Sequence, residues 1–411
     1  MDIKEKLRQI ESLNRKQEVS PATEPVSGPR EKIEHVLDGV VKESPAGAFF
    51  YYEKDFPLSF KQGCVELGAL LTTPSAVLPL VGKNPDLASV DLQKSLFIDT
   101  ETSGLSGGAG TFAFLVGIGY FKNEFFRIVQ FFMNDFTEEH PLLHELNSVV
   151  DNHEFVVSYN GKCFDVPLLE SRHVYHRINS PLTRLAHLDL LHAVRRLWKH
   201  ELPDCSLGTA EEAVLAVRRQ GDIPGYLIPH IYFEYMRTGN PNPLKPIFYH
   251  NQQDILSMVG LLVRMLRIFE NPLQECVKSG QVLAIAKVYE ALKRFKDAND
   301  LYEGYLTKNS SDRKKEILFR IALNYKKLAD WSKAAQVWRE CLASHPYHPL
   351  PYIELAKYLE HRKNEPDRAI KLVEEALKQL GVLEELHRLG EWRHYKEDLE
   401  YRKDRLKKKA V

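Results

Sequence analysis

The segment SLFIDTETSGL, residues 95–105, sets the architecture expected for the whole chain. Leu96, Phe97 and Ile98 form an apolar run of the kind that becomes a buried strand. Side chains alternate along a strand, so Asp99 and Glu101 point to the same side. Two carboxylates at the end of a buried strand repel each other and lose hydration, and a hard divalent cation is the natural compensation. The pair is expected to carry chemistry rather than packing.

Two further acidic segments follow in order. In VVSYNGKCFDVPLL, residues 156–169, Asn160 ends a strand and Asp165 falls near the start of a helix, where the helix dipole favours an anion. In FYHNQQDILS, residues 248–257, a helix from about Lys245 to Phe269 places His250 and Asp254 four residues apart on one face. Taken singly, each has a plain explanation. Acidic pairs are common at loop starts, Asp165 reads as a helix N-terminal carboxylate, and His250 with Asp254 reads as a surface ion pair. Their arrival together on one α/β pattern changes the weighing.

That pattern runs outward from Asp99. Strands are expected at SLFID, TFAFLVGIGYF and FFRIVQFF, separated by Gly-rich or Lys-Asn turns. A helix (EEHPLLHELNSVVDN), a strand (EFVVSYN), a second helix (FDVPLLESRHVYHRI) and a strand (LAHLDLL) come next. Three consecutive strands followed by alternating helix and strand describe a mixed α/β sheet. Such sheets bind ligands at the carboxyl ends of their strands, where Asp99 and Asn160 fall.

Beyond about residue 280 the pattern is helical only. AKVYEALKRFKDANDLYEGYL from Ala286 aligns without a gap on ALNYKKLADWSKAAQVWRECL from Ala322, matching Tyr289 with Tyr325 and Phe295 with Trp331. A third unit from Ala356 needs one inserted residue before Ala369. Offsets of 36 and 34 residues are those of tetratricopeptide-type helix pairs, in which each unit buries its face against its neighbours.

The expected domains are a charged, mobile N-terminal segment and linker (1–45), an α/β domain (46–275), helical repeats (280–385) and a charged capping helix (386–411). Within the first, residues 1–17 read as a charged helix and 18–30 as a Pro/Ser-rich linker. The 56 basic and 56 acidic residues cancel, so any grip on phosphate must be local, as at HAVRRLWKH around Arg195 and Arg196 or the tail from Arg402 to Lys409. Each patch alone also reads as a solvated helix face. Five scattered cysteines without a CxxC pair argue against a disulfide framework or structural zinc. With no signal-peptide core and no membrane-length apolar run, a soluble cytoplasmic protein is expected.

The three segments FIDTETSGLSGGAGTFAFLVG, YNGKCFD and HNQQD resemble the motifs of the DEDD exonuclease superfamily of RNase H-like proteins, and more closely the bacterial YprB-like family. GDIPGYLIPHIYFEYMRTG, residues 221–239, is similar to that family too, and the resemblance spans most of residues 46–270. It implies an RNase H-like mixed sheet joined to tetratricopeptide-like repeats, and two-metal 3′-5′ exonuclease activity with two Mg²⁺ or Mn²⁺ ions. Carried over by residue, Asp99 would bridge the ions, Glu101 and Asp254 would complete the one that activates water, and Asp165 would serve the second. His250 would take or relay the proton of the attacking water, its pKa expected near neutrality. The spacing departs from the superfamily: a histidine base usually lies five residues before the last Asp and a tyrosine four, whereas here Tyr249 is five before and His250 four. HNxxD resembles YprB-like sequences, which favours His250. Thr100, Asn160 and Tyr249 are candidate substrate contacts.

The implied substrate is DNA, single-stranded, in repair, with a helicase partner and protein docking through the repeats. An RNA exonuclease and a non-catalytic nucleic-acid-binding adaptor are the alternatives. SGLSGGAGT from Ser103 lacks the Gly-Lys-Ser/Thr ending of a phosphate loop and is expected to turn a hairpin beside the metals. Asp189 is expected to be structural rather than a spare ligand. His187, His192 and His200 lack metal-ligand spacing, and Phe112, Phe114, Tyr120, Phe121, Trp331 and Trp338 are expected to pack.

Overall fold

A computed structural model describes residues 32–104, 110–276, 278–387 and 390–410. The helix expected over residues 1–17, the linker 18–30 and residues 105–109 of the Gly-rich run lie outside the described residues.

Seven strands form one mixed sheet: β1 (Val40–Ser44), β2 (Gly47–Pro57), β5 (Ser95–Thr102), β6 (Ala113–Lys122), β7 (Phe125–Phe132), β8 (Phe155–Ser158) and β9 (Ala186–Asp189), in the spatial order β1-β2-β7-β6-β5-β8-β9. A separate two-stranded ribbon pairs β3 (Lys61–Gln62) with β4 (Val65–Glu66). The pairs from β1 through β5 are antiparallel, while β5–β8 and β8–β9 are parallel. The sheet is the expected RNase H-like mixed α/β arrangement. Every residue of β8 is buried, as a short parallel strand covered on both faces requires.

The sheet begins earlier than expected. Residues 40–44, assigned from sequence to the mobile N-terminal segment, form an edge strand in register with β2, pairing Val40 with Tyr51 and Ser44 with Gly47. Their Lys-Glu content hid the strand, yet charge is what an exposed edge carries to resist further pairing. β2 was equally hard to read because GAFFYYEKDF sets two adjacent aromatics, Phe49 and Phe50, both wholly buried, beside charged residues.

Helices cover both faces. The α/β half carries α1 (Glu139–Val150), α2 (Asp165–Tyr175), α3 (Leu190–Trp198), α4 (Leu207–Leu215), α5 (Ile228–Thr238) and the 26-residue α6 (Lys245–Glu270). Leu96 and Ile98 pack with Leu142, Leu143 and Leu146 of α1, whereas Phe97 packs with Ile255 and Val259 of α6. The alternation of β5 thus turns Phe97, Asp99 and Glu101 together toward α6. Close approach of that helix depends on two glycines of β6: a Cβ on Gly117 would lie 1.9 Å from Asn251 Oδ1, and one on Gly119 would lie 2.5 Å from Ile255 Cγ2. Gly117 is paired with Asp99 across the ladder, so one absent side chain lets α6 reach the acidic strand.

The remaining helices stack in pairs: α7 (Ser279–Ala291) with α8 (Phe295–Lys308), α9 (Lys314–Lys327) with α10 (Trp331–Ser344), and α11 (Pro349–Tyr358) with α12 (Pro366–Glu385), followed by α13 (Arg393–Ala410). The turn within each pair holds a left-handed residue, Lys293, Ala329 or Asn364, with φ of 60°, 60° and 54°. After α11 the chain runs through a π-helical stretch, Leu359–Lys363. A π turn absorbs one extra residue, and this is where the third unit carries its insertion. Buried Glu360 in that stretch is held by Arg402 and Arg405 of α13. Among the described residues no helix is long and apolar enough to cross a membrane. The five cysteines are unpaired.

Candidate active site

Three segments of the chain bring their carboxylates to the carboxyl end of β5. Asp99 and Glu101 come from β5 itself, and Asn251 of α6 donates through Nδ2 to Asp99 Oδ2 at 2.8 Å. Asn251 is wholly buried and fixed in turn by Gln130 of β7, whose Nε2 donates to Asn251 Oδ1 at 2.8 Å. Gln252 Nε2 donates to Gln130 Oε1 at 3.0 Å, so an amide ladder clamps the first turns of α6 onto the sheet.

Asp165 opens α2. It accepts from the backbone N–H of Thr100 at 3.1 Å and from the Thr100 hydroxyl at 2.6 Å, which ties the second segment to the first. Asn160 has φ of 67° at the turn after β8, and its N–H donates to Asp189 Oδ1 at 2.8 Å. Asp189 also accepts from the N–H groups of Lys162 and Leu191 at 3.2 and 3.0 Å. It therefore shapes the turn and caps α3, the structural role expected of it. Gly161 keeps this turn tight, because a Cβ there would lie 2.5 Å from Ser158 Oγ.

On α6, His250 Nε2 lies 3.6 Å from Asp254 Oδ2 and its Nδ1 lies 2.8 Å from Asp222 Oδ1. Asp254 Oδ1 is paired with Arg219, whose guanidinium also bonds Glu211 at 2.5 and 2.8 Å and Asp222 at 3.2 Å. Arg219 is nearly buried and acts as the counter-charge for three carboxylates. Tyr249 is half-buried one position earlier, and among the described residues no hydrogen bond joins it to the carboxylates.

The electrostatics follow from burial. Loss of hydration, and then the charges of Asp254, Glu101 and Asp165, hold Asp99 well above the usual carboxylate range. Burial raises Glu101 to about 8, with Asp254, Asp165 and Asp222 adding to the shift against the opposing pull of His250. Burial takes Asp165 to about 6 although the Thr100 hydrogen bonds oppose it. His250 differs from the sequence expectation of a near-neutral base. Burial opposes its charge, but the Asp222 hydrogen bond and the Asp254 and Glu101 carboxylates outweigh it and raise the ring to about 9. In this arrangement it is an imidazolium at neutral pH.

These residues fit a hard divalent cation in kind. The set is all oxygen, and Glu101 Oε1 is buried without a hydrogen-bond partner among the described residues. Their orientation is less closed, for among the described residues no three His, Cys, Asp or Glu side chains converge at ligand geometry. Asp254 is turned to Arg219 and Asp165 to Thr100.

Sequence reasoning missed Arg219, Asp222, Glu211, Gln130 and the part played by Asn251. Asp222 does lie in GDIPGYL, inside the stretch similar to the YprB-like family, which was the one available signal. Arg219 sits in a loop, and its partners Asp222, Glu211 and Asp254 lie 3, 8 and 35 residues away, with no common period to announce them.

The model of the RNase H superfamily matches residues 96–266, a span that contains every carboxylate just described. Across 342 residues the chain is 34% identical to "Uncharacterized protein YprB" of Bacillus subtilis (strain 168), covering 81% of each protein. The family B DNA polymerase from the hyperthermophilic archaeon Pyrobaculum calidifontis aligns over 77% of this chain and 38% of its own at 14% identity, with a TM-score of 0.36, too low a likeness to inform the site. On the identity with the Bacillus protein, the chain belongs to the YprB family and carries an RNase H superfamily domain.

Proposed function

We propose that the protein is a divalent-metal-dependent nuclease that removes nucleotides from the 3′ end of single-stranded DNA. The observation that carries this reading is the shared field of Asp99, Glu101, Asp165 and Asp254, four carboxylates from three segments whose charges add to burial in raising the proton affinity of Asp99 and Glu101, around a buried Glu101 oxygen that has no hydrogen-bond partner among the described residues. Asp99, Glu101 and Asp254 would hold one Mg²⁺ or Mn²⁺, with Asp99 and Asp165 serving a second. Bound, such ions supply Lewis-acid polarisation of the phosphodiester and charge neutralisation at the leaving oxygen.

The chain's own residues do the rest. Asn251 fixes the Asp99 carboxylate from one side, and Thr100 fixes Asp165 from the other. Asp222 orients the His250 ring through Nδ1, leaving Nε2 as the nitrogen that exchanges a proton near Asp254. Neutralising Asp254 removes part of the field that keeps His250 charged, which moves the ring toward the range where a base works at neutral pH. Asn160 and Tyr249 are proposed to contact the substrate.

The 3′ polarity, the preference for DNA, a role in repair, a helicase partner and docking through tetratricopeptide-like repeats rest on the YprB-like resemblance. End-labelled single-stranded DNA and matched RNA, incubated with Mn²⁺ or with EDTA, test the reading. Mn²⁺-dependent shortening of linear DNA that stops on blocking the 3′ terminus, and that Asp99→Ala abolishes, is expected. Undiminished digestion in EDTA, or efficient cutting of closed circles, contradicts it.

A further inference from the structure

The patch around Arg195 and Arg196, one of the two local basic patches of a chain with no net charge, is not used by the carboxylate site. Arg196 lines a cleft of about 290 Å³ at the junction between the α/β half and the first helix pair, where α7 packs against α3. Lys83, Arg196 and His200 face it from one side, Lys287 and Arg313 from the other. No carboxylate is among its lining residues.

Arg196 is the informative member. Its Nη2 donates to the Val81 carbonyl, while its Nε is buried and, among the described residues, has no partner. No ion pair to a carboxylate is formed by it among those residues, and burial alone pulls its guanidinium below the usual value. A desolvated cation without a counter-charge is unfavourable, and a bound anion offsets that cost. Lys83 stands beside it in the left-handed region, φ 52°, directly after the short helix Leu78–Gly82. Lys287 and Arg313 are drawn to Glu316 at 3.0 and 4.0 Å, but both pairs are exposed and weak.

We propose that this cleft binds a phosphate group, supplied by the backbone of the single strand whose end is processed at the carboxylates; that source rests on the nuclease reading. A planar guanidinium flanked by lysines matches a phosphate's oxygens. The placement agrees: α3 is capped by Asp189, which shapes the Asn160–Lys162 turn, and Arg196 lies about 10 Å further along that helix. Both halves of the molecule contribute cations, so a strand seated there would also span the junction.

The test uses the full chain in EDTA, with a labelled single-stranded oligodeoxynucleotide titrated across a salt series and inorganic phosphate titrated separately by calorimetry. Arg196→Gln removes the central group. The exposed pair Lys83→Gln with Lys287→Gln covers the case in which the half-buried arginine is needed for folding. Each folded variant should weaken oligonucleotide binding roughly tenfold and flatten the slope of log affinity against log salt by about 0.7 per lost contact. Hydrolysis of a dinucleotide, whose single phosphodiester would lie at the carboxylates and leave none for the cleft, should be unchanged. Phosphate binding lost in the variants, with oligonucleotide binding unaltered, would overturn the strand as the source. Wild-type oligonucleotide affinity and salt slope in both variants, with no phosphate binding to the wild type, would overturn the site itself. Failure of the nuclease reading shows separately, as oligonucleotide binding that depends on the cleft without hydrolysis in Mn²⁺.

Discussion

Glu101 concentrates the tension of the site in one residue. Its ordinary pKa is near 4.5 and burial takes it to about 8 in the folded chain, so the folded state holds its proton more tightly than the unfolded one. The associated stability is full below about pH 4.5 and is lost as pH rises through about 8. In EDTA, the thermal stability of the wild type should therefore fall from pH 5 to pH 8. Glu101→Gln should flatten that decline and be the more stable protein at pH 8, by on the order of a few kcal/mol. A wild-type profile that rises with pH would reverse the sign assigned to this carboxylate. His250 is the second residue-scale test. His250→Ala should slow hydrolysis roughly 10²- to 10⁴-fold, whereas Tyr249→Phe should cost little, since a helix turns it about 100° away from His250 and about 140° away from Asp254. Steady-state rates with the opposite ranking would assign the proton to Tyr249.

At the scale of elements, the site depends on how closely α6 lies on β5 and β6. Gly117→Ala should drive Asn251 off Asp99, because the new Cβ would sit 1.9 Å from its amide oxygen in a spot closed by Gln130. A loss of roughly 2–3 kcal/mol in urea denaturation, with hydrolysis impaired more than substrate binding, is expected. Wild-type stability would mean the helix is free to shift. The elements nearest the site were legible in the sequence because their apolar runs are long: β5, β6 and β7 show as continuous apolar stretches, and α6 as a helix from Lys245. Asp99, Glu101, Asp165 and Asp254 announced themselves by residue type on those elements. Their partners did not. Asp222 meets His250 across 28 residues and Arg219 meets Asp254 across 35, distances over which no local period operates. The raised pKa of His250 was illegible for the same reason, since it is set by neighbours that only the fold supplies.

Across the whole molecule, the α/β half and the helix pairs share material. Leu262, Met265 and Phe269 of α6 belong to the same buried cluster as Val282, Leu283, Ala286 and Tyr302 of the first pair, so the expected boundary near residue 280 crosses a continuous core. A chain ended after Pro272 should expose that apolar face and melt well below the full chain or aggregate, as calorimetry or light scattering would report. A truncated protein as stable as the whole would make the halves independent. The central claim is that the four carboxylates form a divalent-cation centre, although Arg219 holds Asp254 in the arrangement described. Calorimetric titration of Mn²⁺ into the EDTA-stripped full chain, beside Asp99→Asn, bears on it most directly. Saturable binding by the wild type, weakened at least about tenfold in Asp99→Asn, is predicted; a wild type that binds no Mn²⁺, or a variant that binds it equally well, would contradict the claim.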